Sequence, residues 1–319
     1  MITASSLHEL HEQTGRTAVV IACGVFDGVH KGHQKLLNKL TQLAEKHHAL
    51  PVALTFEPHP RMVLDTYPEP PRLTTGKQKL ELLAHYGARA AVVLDFNREL
   101  ASLSATQFLH RYLLSTELEL HGIAVGGNWR FGSGGEGDLQ FLQNAGRKHG
   151  FEAVGVPEKE VDGAPVSSTR IREALLAGDL TTAATMLGCS YSVRGKVVRG
   201  RGIAKSELEY PTANVDTGEL LLPPPGVYAA QVSRRPRDHT PTTAIAYVGS
   251  APTVTGQLEC PEKKLEVHLF SNDLNLYGKV LDVQFTAFIR KEKSFASLHA
   301  LKQQIQEDVR TARRLSVAG

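Results

Sequence analysis

The sequence predicts an α/β chain in two parts: a doubly wound parallel sheet in the first half, then a small β-barrel with a C-terminal helix. Three observations carry this. Up to Leu187, short apolar runs alternate with segments of helical periodicity, the pattern of βα units building a parallel sheet. From about Tyr191 the helical period disappears, and short β-rich runs lie between Pro and Gly turns. After Ser297, Leu298, Leu301, Ile305 and Val309 return to helical spacing. The change near Cys189 divides the 319 residues into 1–188 and 189–319, and the length suits two domains.

In chain order, Ala18–Cys23 reads as a buried strand ending at Gly24, and Lys31–His47 as a helix burying Leu36, Leu37, Leu40, Leu43 and Ala44. Strands follow at Pro51–Phe56, Ala90–Leu94, Gly122–Val125 and Glu152–Val156. Between them, helices are predicted at Thr75–Tyr86, with Thr74 or Thr75 as cap, at Ser104–Leu114 and at Gly137–Gly150. Two short helices, Ser167–Ala177 and Leu180–Leu187, are expected to close this half. The barrel strands are predicted at Ser192–Val198, Val227–Val232, Thr243–Val248, Leu265–Phe270 and Val280–Phe288.

Composition excludes several classes. Thirty-six basic residues against 33 acidic give a net charge of +3, too even to argue for nucleic-acid binding. Cys23, Cys189 and Cys260 form no CxxC pair, so a disulfide framework or zinc site is not expected, and a reducing cytoplasm fits. No apolar run approaches the ~20 residues that span a bilayer, and no signal peptide is expected.

The first chemical motif is Gly24-Val25-Phe26-Asp27-Gly28-Val29-His30-Lys31-Gly32-His33, directly after a strand and opening a helix. His30 and His33 stand at i and i+3, so both rings point the same way from the first helical turn. A helix N-terminus offers free N–H groups and the positive end of the macrodipole, and glycines admit a phosphate closely. Attack at phosphorus spreads negative charge over oxygens that positioned donors stabilise. His30 and His33 are therefore candidate catalytic groups, and Gly24, Phe26, Asp27, Gly28 and Gly32 candidate nucleotide-binding residues.

The second motif, Ser167-Ser168-Thr169-Arg170-Ile171-Arg172, opens a helix that Ser168 or Thr169 can cap. Arginines near a helix N-terminus run against the macrodipole, and such breaks of a local rule often mark sites. Hydroxyls, N–H groups and an arginine suit the phosphates of a nucleotide. The third motif is Pro211-Thr212-Ala213-Asn214, after the glycine-rich basic stretch 194–202 that holds Gly195 and Gly200. Thr212 and Asn214 offer hard oxygens of the kind Mg²⁺ accepts. Glu266 and His268 alternate on one strand face, where a carboxylate could take a proton from a hydroxyl. From chemistry alone, an exposed strand face and a turn is the simpler reading of this third motif.

Together GVFDGVHKGH, Thr55-Phe56-Glu57-Pro58-His59-Pro60, Gly126-Gly127-Asn128-Trp129-Arg130-Phe131-Gly132 and SSTRIR resemble the nucleotidyltransferase domain of the prokaryotic bifunctional riboflavin kinase/FMN adenylyltransferases, the FAD synthetases. The second half is similar to their kinase module in PTAN, Gly226-Val227-Tyr228, Leu265–Phe270 and Leu276-Tyr277-Gly278. The resemblance implies that ATP and flavins are the small-molecule partners. It implies that His30 and His33 stabilise the α-phosphate transition state, with Ser168, Thr169 and Arg172 near the ATP phosphates. His59, Asn128, Trp129 and Phe131 fall to the flavin side, with Trp129 where the family has Phe. In the barrel it implies Mg²⁺ on Thr212 and Asn214, Glu266 as general base, and the Gly195–Gly200 stretch over ATP. Glu209-Tyr210 stands where the family has Gly-Phe, which keeps open an adenylyltransferase whose barrel binds flavin without phosphorylating it; a nucleotide- or flavin-binding regulator is a separate alternative, against which His30, His33 and Glu266 argue because pure binding does not need them.

Overall fold

The computed structural model describes residues 1–64, 71–114, 117–199, 212–234, 241–250, 263–270 and 276–317. It divides into two compact units, one of Met1–Pro70 and Thr75–Ser167, the other of Pro71–Thr74 and Ser168–Gly319.

The first unit contains β1 (Ile2–Ala4), α1 (Leu7–Thr14), β2 (Ala18–Cys23), α2 (Lys31–His47), β3 (Leu50–Glu57), α3 (Pro60–Val63), α4 (Gly76–His85) and β4 (Ala90–Asp95). It continues with α5 (Arg98–Ser102), α6 (Ala105–Phe108), β5 (Glu119–Gly126), α7 (Leu139–His149), β6 (Glu152–Val156) and the hairpin β7 (Glu160–Val161) and β8 (Ala164–Pro165). Six strands form one parallel sheet in the order β1-β4-β3-β2-β5-β6. Strand β2 shows why helices cover both faces. Val19, Ile21 and Cys23 point into one core with Leu54 and Ile123, while Val20 and Ala22 point into the other with Leu37 and Leu40 of α2. Burying each such leucine contributes about 1.5–3 kcal/mol.

The order reverses at β2, whose neighbours are β3 on one side and β5 on the other. Ligands in open α/β sheets sit outside the carboxyl ends of the strands at such a switch point. The loops that leave β2 and β5 there are Gly24–His30 and Gly127–Phe131, two of the motifs singled out above.

Local signals behave as their chemistry demands. Thr75 rather than Thr74 caps α4, in a reciprocal box with Gln78. Ser104 caps α6 in the same way with Gln107, and the helix widens into a π-helical stretch, Leu109–Leu114. The helix predicted from Gly137 starts at Leu139, capped by Asp138. β1 and α1 lie outside the predicted set: β1 has three residues and α1 buries only Leu7 and Leu10, too little to register as a period.

The second unit holds α8 (Ser168–Leu176), α9 (Leu180–Leu187), β9 (Ser192–Val198), β10 (Ala213–Asp216), β11 (Gly226–Ser233), β12 (Thr242–Ser250), β13 (Lys263–Leu269), β14 (Val280–Arg290) and α10 (Leu298–Val317). The six strands close into an antiparallel barrel, β10-β13-β12-β11-β14-β9. Within this unit α8 packs on α9 and α9 on β14, and Ile171, Leu175, Ala183 and Met186 are buried. Five of the barrel strands match the predicted ones within two residues at either end. The sixth, β10, is the Ala213-Asn214 pair that sequence patterning reads as a turn. It pairs with β9 on one side and β13 on the other, and so closes the barrel.

Candidate functional site

The loop after β2 is bent by backbone conformations that few residues adopt. Phe26, Gly28 and Val29 have φ of +58°, +79° and +40°. Glycine takes such a φ freely, but a β-branched or aromatic residue there is strained, and strain persists only where its surroundings over-determine it. Phe26 is fully buried, and a Cβ on Gly24 would lie 3.1 Å from its ring. A Cβ on Gly32 would lie 3.1 Å from Cε1 of the His30 ring. Gly24 and Gly32 thus make room for Phe26 and His30 side chains, an additional demand to the phosphate approach expected from sequence. Asp27 is buried in the turn between them.

His30 is the N-cap of α2, its Nδ1 accepting from the His33 backbone N–H at 3.4 Å. The two rings stack with centroids 3.7 Å apart and planes within 18°, and the edge of Phe26 packs on His33 at 5.2 Å. Burial lowers the His30 pKa to about 4, and burial together with the neighbouring His30 holds His33 well below the usual value. Two unit charges about 4 Å apart repel by about 4 kcal/mol at an effective dielectric near 20, so the stack cannot carry two protons. His33 Nδ1 is buried and has no hydrogen-bond partner among the described residues. A buried imidazole nitrogen left in that state costs about 1–3 kcal/mol and points to a ligand that completes it.

The neutral pair has a consequence for stability. Between pH 6.5 and about 4 the unfolded chain takes up protons that folded His30 does not. The stability tied to the neutral pair is therefore complete above 6.5 and is lost as pH falls toward 4. The melting temperature of the ligand-free protein is expected to fall across that window, and to fall less steeply in the His30→Gln/His33→Gln variant. An equal fall in both would assign the dependence to other groups.

On the second loop, Trp129 stacks on Phe131 with centroids 4.7 Å apart, and Phe131 is 8% exposed with edges of Phe108 and Phe141 around it. Phe131 is thus packed beneath Trp129, and Trp129 is the more exposed ring of the two. The Asn128 amide donates to Glu158. His59 follows the cis Glu57–Pro58 bond and caps α3, its Nδ1 accepting from the Arg61 N–H at 3.1 Å.

In the second unit, α8 begins at Ser168, so Ser168 and Thr169 occupy its first turn and the position before the helix is Ser167. Arg172 is buried, and its Nε donates to the Pro71 carbonyl at 2.8 Å. Arg72 bridges to Leu220 through backbone bonds to Glu219 and Leu221, so Pro71–Thr74 is stitched into this unit.

Barrel register brings the third motif together. Asn214 lies directly opposite Glu266, and Glu266 directly opposite Tyr247. Their neighbours Val215, Leu265, Val267 and Val248 fill the barrel interior, so by alternation the row faces outward. Helix α10 packs over β11, β12 and β14 on that outer side, and a cavity of about 310 Å³ lies beneath it. Thr212, Tyr247, Glu266, His268, Leu301 and Ile305 contribute to its walls. The helix is held by a bidentate pair, Arg290 to the buried carboxylate of Asp308, 2.7–3.1 Å. Desolvation raises the Glu266 pKa, against a smaller lowering by Lys264. Tyr247 lies over Gly249, where a Cβ would collide with its ring at 2.6 Å, and its hydroxyl donates to Glu292. Burial first, and then that bond, raise its pKa. Strand alternation with Gly249 was the signal by which Tyr247 could have been found; Glu292 and the Arg290–Asp308 pair left none.

Gly195 stands in β9, facing inward, where a Cβ would lie 2.1 Å from the Asp216 carbonyl oxygen. It lies in a strand and not in a loop, because β9 and β10 approach too closely there for a side chain. Gly200 and Glu209 lie outside the described residues.

The FAD synthetase family matches residues 12–170, and the riboflavin kinase family matches residues 187–316. A bifunctional riboflavin kinase/FMN adenylyltransferase of Escherichia coli K12 is 36% identical over 96% of this chain and 95% of its own. The chain belongs to the bifunctional riboflavin kinase/FMN adenylyltransferase family. Its relative in Pseudomonas fluorescens is 37% identical over 97% and 96% of the two chains. A crystal structure from Streptococcus pneumoniae, described as a macrolide-efflux protein, shares the fold with a TM-score of 0.81, 28% identity and 98% coverage of both chains. In this family member the His30–His33 loop falls within the FAD synthetase match and the Asn214–Glu266 row within the riboflavin kinase match. Among the described residues, no helix is long and apolar enough to cross a membrane.

Proposed function

We infer that this chain runs two ATP-dependent steps in sequence, phosphorylation of riboflavin to FMN in 189–319 and adenylylation of FMN to FAD in 1–188. The carrying observation is that each half presents desolvated acid–base groups in a family-matched site: the buried His30–His33 stack in one, the half-buried Glu266 in the other.

In the kinase step Glu266 takes the proton of the riboflavin 5′-hydroxyl, whose oxygen attacks the γ-phosphorus of ATP, and ADP leaves. A raised pKa makes the carboxylate a better base, and the cavity under α10, apolar on its Leu301 and Ile305 side, suits a flat aromatic ring system. Thr212 and Asn214 present neutral oxygen donors beside Glu266, a set that fits a hard cation shared with substrate phosphates. Mg²⁺ bound there would neutralise charge on the β- and γ-phosphates.

In the transferase step an FMN phosphate oxygen attacks the α-phosphorus of ATP, the bond to the β-phosphate oxygen breaks, and pyrophosphate leaves. His30 and His33 hold the α-phosphoryl oxygens, Gly24, Asp27, Gly28 and Gly32 shape the loop around them, and Ser168, Thr169 and Arg172 serve the remaining phosphates. Asn128 serves the acceptor phosphate, with Trp129 and His59 on the flavin.

Incubation with riboflavin, ATP and Mg²⁺, with products resolved chromatographically, is expected to show FMN and then FAD, and excess EDTA to stop both. FAD from added FMN, with no FMN from riboflavin, would reduce the barrel to a flavin-binding module.

A further inference from the structure

Lys79 on α4 is the only buried lysine among the described residues, 7% exposed, and the roles assigned above leave it unused. Its ammonium lies 3.3 Å from the Phe56 carbonyl, 3.4 Å from the Thr55 hydroxyl and 3.6 Å from the Glu57 carboxylate. These oxygens stand at the carboxyl end of β3, beside the loop that leaves β2. Thr55, itself fully buried, donates to the Val25 carbonyl at 3.0 Å.

The chemistry of the two groups sets the direction of this chain. An ammonium has donors and no acceptor, so Thr55 must accept from Lys79. The single hydroxyl proton is then committed to Val25. Val25 immediately precedes Phe26, the residue at φ +58° whose ring packs edge-on against His33 at 5.2 Å. The strained bend needs anchors to persist, and the Val25 carbonyl is one of them. Burying an ammonium costs several kcal/mol, whereas an apolar side chain of similar volume would pack α4 on β3 without that cost. A contact needed only for packing does not call for the charge.

We propose that Lys79 is a positioning residue of the adenylylation site: through the Thr55 hydroxyl it fixes the Val25 carbonyl, and with it the backbone bend that aims His30 and His33. This rests on reading the two histidines as the ATP site. The groups acting in the transition state lose their aim while ATP still binds, so the loss is in kcat more than in KM.

The test uses the full-length protein and the variants Lys79→Met, Thr55→Val, their combination, Thr55→Ser and His33→Ala. FMN adenylylation is measured against ATP concentration, riboflavin phosphorylation serves as control, and circular dichroism melts report the fold. Lys79→Met and Thr55→Val are each expected to lower kcat for FAD formation about tenfold or more with little change in the KM for ATP, a fraction of what a lost transition-state donor costs. Riboflavin phosphorylation stays at the wild-type rate. The double variant is no worse than the worse single one, as two members of one relay require, and Thr55→Ser retains activity. Losses that multiply in the double variant overturn the relay. Wild-type kcat in Lys79→Met with a crippled His33→Ala overturns the proposal alone; wild-type rates in both overturn the histidine site with it. Should Lys79→Met fail to fold, Thr55→Val decides, and activity equal to Thr55→Ser sinks the proposal.

Discussion

His33→Ala is expected to form FAD from FMN about 10²–10³ times more slowly than the wild type, the typical cost of one lost transition-state donor, while phosphorylating riboflavin at the same rate. The asymmetry follows from placement. His33 stacks on His30 at the start of α2 in the first unit, and the kinase groups Asn214 and Glu266 face each other across β10 and β13 in the second. His30→Ala should behave similarly, with an added structural cost, because His30 Nδ1 also caps α2. Losing a cap costs about 0.5–2 kcal/mol, which a melting curve separates from the catalytic loss. FMN adenylylation at the wild-type rate by His33→Ala would remove the assignment of this site, and a parallel loss of both activities would mean that the substitution disturbs the whole chain.

The second large effect is expected at Glu266. A riboflavin hydroxyl is a poor nucleophile at neutral pH, and a general base within reach contributes about 10²–10⁴ in rate. Glu266→Gln keeps the volume and loses the base, so FMN production from riboflavin should fall by that factor while adenylylation of added FMN continues. The raised Glu266 pKa adds a pH signature. The base must be ionised to act, so kinase activity should fall on the acid side at a pH above the ordinary carboxylate value of 4.5. Wild-type phosphorylation by Glu266→Gln assigns the proton to another acceptor. Glu209, beside the PTAN motif, supplies an independent arm: wild-type protein making no FMN while Glu209→Gly does would mean that this chain's kinase is held off by that side chain.

Much of this was legible in the sequence because its signals are local. The period of Leu36, Leu37, Leu40 and Leu43 predicts α2, and the alternation of β2 residues between two cores follows from a strand apolar on both faces. The spacing of His30 and His33 sets their common direction. Caps such as Ser104 with Gln107 are written within four residues.

What tertiary structure alone decided depends on partners far along the chain. Ala213–Asp216 is a strand because β9 and β13 flank it, although four residues carry too little pattern to say so. The row Asn214, Glu266, Tyr247 is a matter of register, and a slip of one residue would turn all three side chains to the other face. Gly195 reads as a loop glycine until the Asp216 backbone is placed against it in β9, and the packing of Phe131 beneath Trp129 is set by Phe108 and Phe141. Lys79 reads as one more solvated lysine on a helix. Sequence determines which faces of an element are apolar and which residues can bend or cap a chain. Desolvation depends on every neighbour at once, and so only the folded chain lowers the pKa values of His30 and His33, raises that of Glu266 and buries Lys79 behind the loop after β2.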